Sequence, residues 1–220
     1  MVDRGVLEYR LREQESDNGM MKSAIISQRV EFIERRVEHL DCLDVRWTKM
    51  LWTLGYLAHP IPNKFPDYQN EACVFEFCKA IRPRLILLSG GNDWGSVVFR
   101  DRTEMALLDY AEAFRVPVLG ICRGMQIMAI RAGGSLHRVA GHAGVVHGLQ
   151  GASSRRVNSF HRYSLESCPP QYKVTFRSED GEIEGINHSS LPWMGIMWHP
   201  ERCEPFDNED INLLSEYFEI

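Results

Sequence analysis

Along this chain, short runs of unbroken apolar residues alternate with stretches where apolar positions recur every three or four residues. The runs are "SAIIS" at 23–27, "RLILLS" at 84–89, "VPVLGI" at 116–121 and "WMGIMWH" at 193–199. Each has strand length and lacks a polar face, as strands buried on both sides do. Between them, 41–55 places Leu43, Trp47, Met50, Leu51 and Leu54 on one helical face, with Gly55 as its C-cap. Further helices are predicted over 68–81, over 103–115 with Thr103 as N-cap, and from Cys122 to Gly133-Gly134. "YLAHPIP" reads as a short extended piece ended by prolines, and "DINLLSEYFEI" as a closing helix. "KVTFRS" and "EIEGIN" flank Asp180-Gly181 as a hairpin. This alternation predicts an α/β fold, with a mainly parallel central sheet flanked by helices on both faces.

At 220 residues the chain fits one such domain. Residues 1–20 carry charges of mixed sign and no apolar segment of the signal-peptide kind, so a disordered extension is expected before a domain spanning 21–220. Met20 or Met21 could serve as the start. No apolar run has membrane-spanning length, and a net charge of -5 gives no general attraction to nucleic acid or to an anionic membrane. The six cysteines form no CxxC pair, which fits reduced thiols in the cytoplasm. Of these, Cys73 and Cys78 lie in a predicted helix and read as packing residues. His137, His142 and His147 recur every five residues, a spacing that matches no usual zinc pattern, so no metal is expected.

Three segments hold candidate chemistry. Gly120-Ile121-Cys122-Arg123-Gly124 has the form G-x-C-x-G where a strand turns into a helix, the cysteine counterpart of a nucleophile elbow. There the flanking glycines avoid Cβ clashes, and free amides at the helix start favour thiolate over thiol. The pentapeptide alone fits a buried core cysteine equally well. "MWHPER" offers His199 as a base and Glu201 as its orienting group, since residues i and i+2 of an extended segment point the same way. Gly90 and Gly91 follow an apolar strand in "LLSGGNDWG", where a glycine can present its N–H to an oxyanion and the Arg123 amide would supply a second donor. Phosphate-loop and dinucleotide patterns fail on this segment.

Taken together, "SGGND", "GICRGMQ" and "GIMWHPE" resemble the signature segments of class I glutamine amidotransferases, over residues 22 to about 218. The resemblance implies their flavodoxin-like sheet, a Cys122–His199–Glu201 triad and no cofactor. Within that family, "CRG", "GGND" and "VNSFHR" are more similar to stand-alone γ-glutamyl hydrolases than to ammonia-delivering subunits. Arg162 and Tyr163 depart from the frequent Asn-Ser-x-His-His-Gln pattern of those hydrolases. "IISQRV", "LDVRWTKML", "PIPN" and "NSFHRYSLE" resemble the γ-glutamyl-CDP-amidate hydrolases of bacterial capsule biosynthesis.

The implied reaction releases glutamate and cytidine diphosphoramidate from a small nucleotide conjugate, with no obligate protein partner. Hydrolysis of another γ-glutamyl amide, such as γ-glutamyl-γ-aminobutyrate, and ammonia delivery to a synthetase are the alternatives. By family position Gln126, Asn158, Ser159, Phe160 and His161 would line the glutamyl half of the site, beside Gly90 and Asn92. At the end of the first strand, Gln28 and Arg29 could face the same pocket. Arg29, Arg138, Arg155, Arg156 and Arg162 are candidates for a diphosphate, and Trp94 for a base.

Overall fold

The computed structural model describes residues 21–65, 70–151 and 155–219, so the expected extension at 1–20 lies outside the described residues. The apolar runs form neighbouring parallel strands: β1 (Lys22–Ile26), β5 (Leu85–Leu88), β6 (Val118–Ile121) and β13 (Trp193–Ile196). β4 (Tyr56–Pro60) extends the parallel part beside β1. Beyond β13 the sheet turns antiparallel through β12 (Ile183–His188), β11 (Tyr172–Ser178), β8 (Ala143–Gly151) and β9 (Arg156–Phe160). The described sheet therefore has nine strands, and β11–β12 is the hairpin expected around Asp180-Gly181. Two small ribbons stand apart: β2 (Arg29–Ile33) with β3 (Glu38–Cys42), and β7 (Leu136–Arg138) with β10 (Tyr163–Leu165).

Strand alternation divides the core into two layers. Ile25, Ile86 and Leu88 point to one face, where Val74 and Cys78 of α2 (Asn70–Ile81), Leu107 and Tyr110 of α3 (Val98–Phe114) and Met125 and Met128 of α4 (Arg123–Arg131) pack. Ala24, Ile26, Leu85 and Leu87 point to the other, against Trp47, Met50 and Leu51 of α1 (Arg46–Thr53) and Leu214 of α5 (Asn208–Phe218). Each fully buried leucine or isoleucine contributes about 1.5–3 kcal/mol of transfer free energy to this sandwich. Cys78 is a packing residue, as expected, and burial pushes its thiol up to about 12.

Three boundaries differ most from the predicted ones. Residues 41–42 end β3, so the first helix begins only at Arg46. The third helix starts at Val98 without a side-chain cap. Thr103 is consequently an interior residue, fully buried and donating its hydroxyl to Asn63 O at 2.9 Å. The last strand stops at Ile196, and His199 leads into a 3-10 turn over Pro200–Arg202.

Candidate active site

Each signature segment leaves the sheet at the carboxyl end of one of three adjacent parallel strands, the edge where open α/β sheets place their ligands. β5 runs into Ser89–Asn92, β6 into Cys122, and β13 into Met197–Glu201. Chain topology thus gathers residues that are up to 111 positions apart (Gly90 to Glu201).

At the elbow, Cys122 adopts φ 52 and ψ -104, a conformation that costs a residue with a side chain on the order of 1–3 kcal/mol. Its amide donates to Ile196 O at 2.7 Å, and its carbonyl receives the Gln126 amide at 3.1 Å, so β13 and α4 both hold it. Neither flanking glycine takes a left-handed φ. Instead both permit close approach: a Cβ on Gly124 would overlap Leu88 O, and one on Gly120 would overlap Met128 Sδ. The glycines let α4 press against the sheet, and the cysteine itself takes the strained turn.

His199 is 2 % exposed, with Nδ1 2.7 Å from Glu201 Oε1. The i,i+2 pairing was expected in an extended segment, but the 3-10 turn makes it. Burial alone would lower the imidazole pKa. Hydrogen bonds to Cys122 and Glu201, together with their charges, outweigh it and raise the value to about 9. Cys122 on one side and Glu201 on the other thus favour the protonated ring. Gly90 packs against it so closely that a Cβ there would lie 2.6 Å from His199 Cε1.

An arginine that sequence reasoning passed over organises the Gly-Gly loop. Arg100 is fully buried, and its guanidinium donates to the carbonyls of Ser89 (2.8 Å), Gly90 (3.1 Å) and Gly91 (2.7 Å). Its Nε donates to Glu104 Oε1 at 3.0 Å. In a trans peptide the N–H opposes the preceding carbonyl. Pinning Gly90 O to Arg100 therefore turns the Gly91 N–H away from Arg100. Glu104 also accepts from Ser27 Oγ at 2.8 Å and pairs with the Arg123 guanidinium, which pairs with Asp101 as well. The Arg123 side chain thus belongs to a buried network beneath the loop. Its backbone N–H opens α4, where no carbonyl lies one turn earlier to receive it. The only forecast of Arg100 in the sequence is its i,i+4 spacing from Glu104.

The other candidates divide. Arg29, Gly90, Gly91, His199 and Arg202 share an open cleft, walled on one side by the unforeseen β2–β3 ribbon. Asn92 spends its amide on Val30, accepting from its N at 2.8 Å and donating to its O at 2.9 Å, so it docks that ribbon. Gln28 donates to Ile61 O at 2.9 Å and Gln126 to Tyr163 O at 2.9 Å. Asn158 bonds both the N and the O of His199, at 2.9 and 2.8 Å, and so fixes the backbone of the candidate base. Phe160 meets the His199 ring edge-on, 5.8 Å between centroids. Ser159 and His161 point elsewhere: Ser159 Oγ donates to His142 O at 2.6 Å, and His161 approaches Glu184 at 3.1 Å. Among the candidate arginines, Arg155 is committed to Asp210 and Arg156 to Val146 O.

Residues 47–211 match the family model for glutamine amidotransferase class-I. The chain is 31 % identical over 182 residues to the glutamine-hydrolyzing GMP synthase subunit of Thermococcus kodakarensis, covering 76 % of this chain and 89 % of that one. It is 27 % identical over 201 residues to a gamma-glutamyl-CDP-amidate hydrolase of Campylobacter jejuni, covering 89 % and 96 %. The fold matches a glutamine amidotransferase from Thermotoga maritima with TM-score 0.61 at 17 % identity, over 90 % of this chain and 84 % of that one.

Proposed function

The chain belongs to the class I glutamine amidotransferase family, and from that premise we propose that it is a stand-alone γ-glutamyl hydrolase working through a Cys122 thioester. The observation that carries this reading is the buried His199, 2.7 Å from Glu201 and raised in pKa by Cys122, a cysteine held at a strained elbow. The Cys122 sulfur, as thiolate, attacks the γ-carbonyl carbon, and the carbonyl oxygen becomes an oxyanion facing the N–H groups of Gly91 and Arg123. Collapse breaks the C–N bond while the His199 imidazolium gives its proton to the leaving nitrogen. Neutral His199 then takes a proton from water as that water attacks the thioester, which releases glutamate and restores the thiolate–imidazolium pair. Each oxyanion donor is worth about 2.7–4 kcal/mol of transition-state stabilisation.

For the leaving group, a cytidine diphosphate amidate is the favoured reading, and a soluble, cytoplasmic role in supplying capsule phosphoramidate follows from it. Support comes from the near full-length likeness to the Campylobacter jejuni hydrolase and from two arginines in the cleft. Among the described residues Arg29 pairs with the exposed Glu31, and Arg202, whose Nε lies 3.6 Å from Glu201 Oε1, sits 4.3 Å over the Phe160 ring; both guanidinium groups can still meet phosphate oxygens. Trp94 is 40 % exposed, available to stack on a base. Likeness to the glutamine-hydrolyzing part of a GMP synthase favours a second reading, in which the chain passes ammonia from glutamine to a synthetase. The test is glutamate release by the isolated protein from γ-glutamyl-CDP-amidate, γ-glutamyl-γ-aminobutyrate and glutamine. The proposal expects the nucleotide to be cleaved fastest, with loss of activity in Cys122→Ala. Glutamine hydrolysis that starts only on adding a synthetase would replace it with the second reading.

A further inference from the structure

Away from Cys122, four side chains from three strands or strand ends turn toward one point. His142 immediately precedes β8, His147 lies within it, His161 follows β9, and Glu184 belongs to β12. One ligand atom from each lies within 4.8 Å of all the others. Glu184 Oε1 is 3.1 Å from His161 Nε2, 3.3 Å from His142 Nδ1 and 3.5 Å from His147 Nε2, and the first two histidine nitrogens are 3.2 Å apart. Glu184 is fully buried.

The outward-facing nitrogens fix what the inward ones offer. His142 Nε2 meets the Asp180 carboxylate at 3.0 Å, His147 Nδ1 meets Gly148 O at 3.2 Å, and His161 Nδ1 meets Tyr163 O at 3.1 Å. A carboxylate or carbonyl only accepts, so each of these nitrogens carries a proton and each inward nitrogen of a neutral ring carries a lone pair. Three lone pairs then face one carboxylate oxygen, an arrangement in which every neighbour repels every other. A single imidazolium proton satisfies one contact and leaves the rest, and among the described residues His147 Nε2 and Glu184 Oε2 have no hydrogen-bond partner. A divalent cation satisfies all four groups together. A tetrahedral site with metal–ligand bonds of about 2.0–2.1 Å has edges of about 3.3–3.4 Å; four of the six separations here are 3.1–3.5 Å and the other two lie within 4.8 Å. An N–H bonded outward to a carboxylate or carbonyl is the usual support for a metal-binding histidine.

We propose that His142, His147, His161 and Glu184 form a structural zinc site. Three imidazoles and a carboxylate in four-coordinate geometry suit zinc rather than calcium or magnesium, which want more oxygen ligands. The five-residue histidine spacing was thus half informative: His142 and His147 belong, whereas His137 pairs with Glu182 at 3.1 Å. Zinc here would tie the β8–β9 strand ends to β12. Because Asn158 of β9 holds the His199 backbone, the site braces the candidate base without touching substrate.

The full-length protein, purified without chelator, is expected to contain about one zinc per chain by elemental analysis. Cys122→Ala keeps that zinc, whereas His147→Ala and Glu184→Gln each lose it. Stripping with a chelator lowers the melting temperature, and added zinc but not magnesium restores it. Should either variant fail to fold, cobalt added to the stripped wild-type protein gives the visible spectrum of a tetrahedral ion without a thiolate-to-metal band. A wild-type protein with no stoichiometric zinc and no thermal response to it would overturn the proposal. So would zinc retained in both ligand variants, or zinc lost in Cys122→Ala, which would place the ion at the thiol.

Discussion

Replacing Gly90 with alanine tests the placement of His199 with a single methyl group. The added Cβ would lie 2.6 Å from His199 Cε1, and that ring is held from behind by Glu201 and through its backbone by Asn158. Carbon atoms rest at about 3.5–4.0 Å, so the imidazole or the loop must retreat by about 1 Å. A displacement of that size at a reacting group costs about 10²-fold in rate, or about 2.7 kcal/mol at the transition state. Gly90 lies outside the left-handed region, so alanine adds no backbone strain and the fold should survive. The assay is steady-state glutamate release from a γ-glutamyl substrate, beside thermal unfolding to show that the protein is intact. We expect kcat to fall about 10²-fold with a melting temperature close to wild type. A variant that folds normally and keeps wild-type kcat would refute the claim that His199, as placed here, is the base.

Other consequences are as direct. Arg100→Lys removes the fork that pins three loop carbonyls and frees the Gly90–Gly91 peptide to rotate; kcat should fall about 10²–10³-fold with KM nearly unchanged, and a change confined to stability would contradict the oxyanion role. Glu201→Gln keeps the shape but removes the charge that orients the imidazolium, so kcat should drop by about 10²–10⁴-fold, measured beside alkylation of Cys122. Because His199 titrates near 9 in the folded protein against an ordinary 6.5, its protonated form favours folding. That contribution is complete below pH 6.5 and lost as pH rises through about 9. The melting-temperature gap between wild type and His199→Gln should therefore narrow over that range, and a widening gap would reverse the sign.

The parallel half of the sheet was legible because both faces of its strands are covered, which leaves unbroken apolar runs such as Leu85–Leu88. The β2–β3 ribbon was not, because its side chains face solvent: Phe32 and Leu40 are exposed and almost nothing turns inward to set a period. β8 and β9 were hidden in the same way, behind the glycines at 144, 148 and 151 and behind largely exposed residues. In the site, the candidate triad residues stand in short motifs with a mechanical reason. Arg100 did not, since an isolated arginine is ordinarily a surface residue and only the folded loop reveals three carbonyls around it. The segment at 158–161 reads in sequence as one wall of the pocket, but strand alternation splits it. Asn158 and Phe160 turn toward His199, while Ser159 and His161 turn toward His142. The histidine cluster is hidden for a related reason, because Glu184 comes from β12, remote in sequence from His142 and His147, and only the β8–β9 pairing brings His161 back beside them.

The most direct measurement is the intact mass of the protein, quenched in acid during turnover of γ-glutamyl-CDP-amidate and then mapped by peptide. A Cys122 thioester predicts a glutamyl adduct on the peptide containing Cys122, absent in Cys122→Ala, which should release no glutamate. Turnover that proceeds without the adduct, and persists undiminished in Cys122→Ala, would contradict the account at its centre.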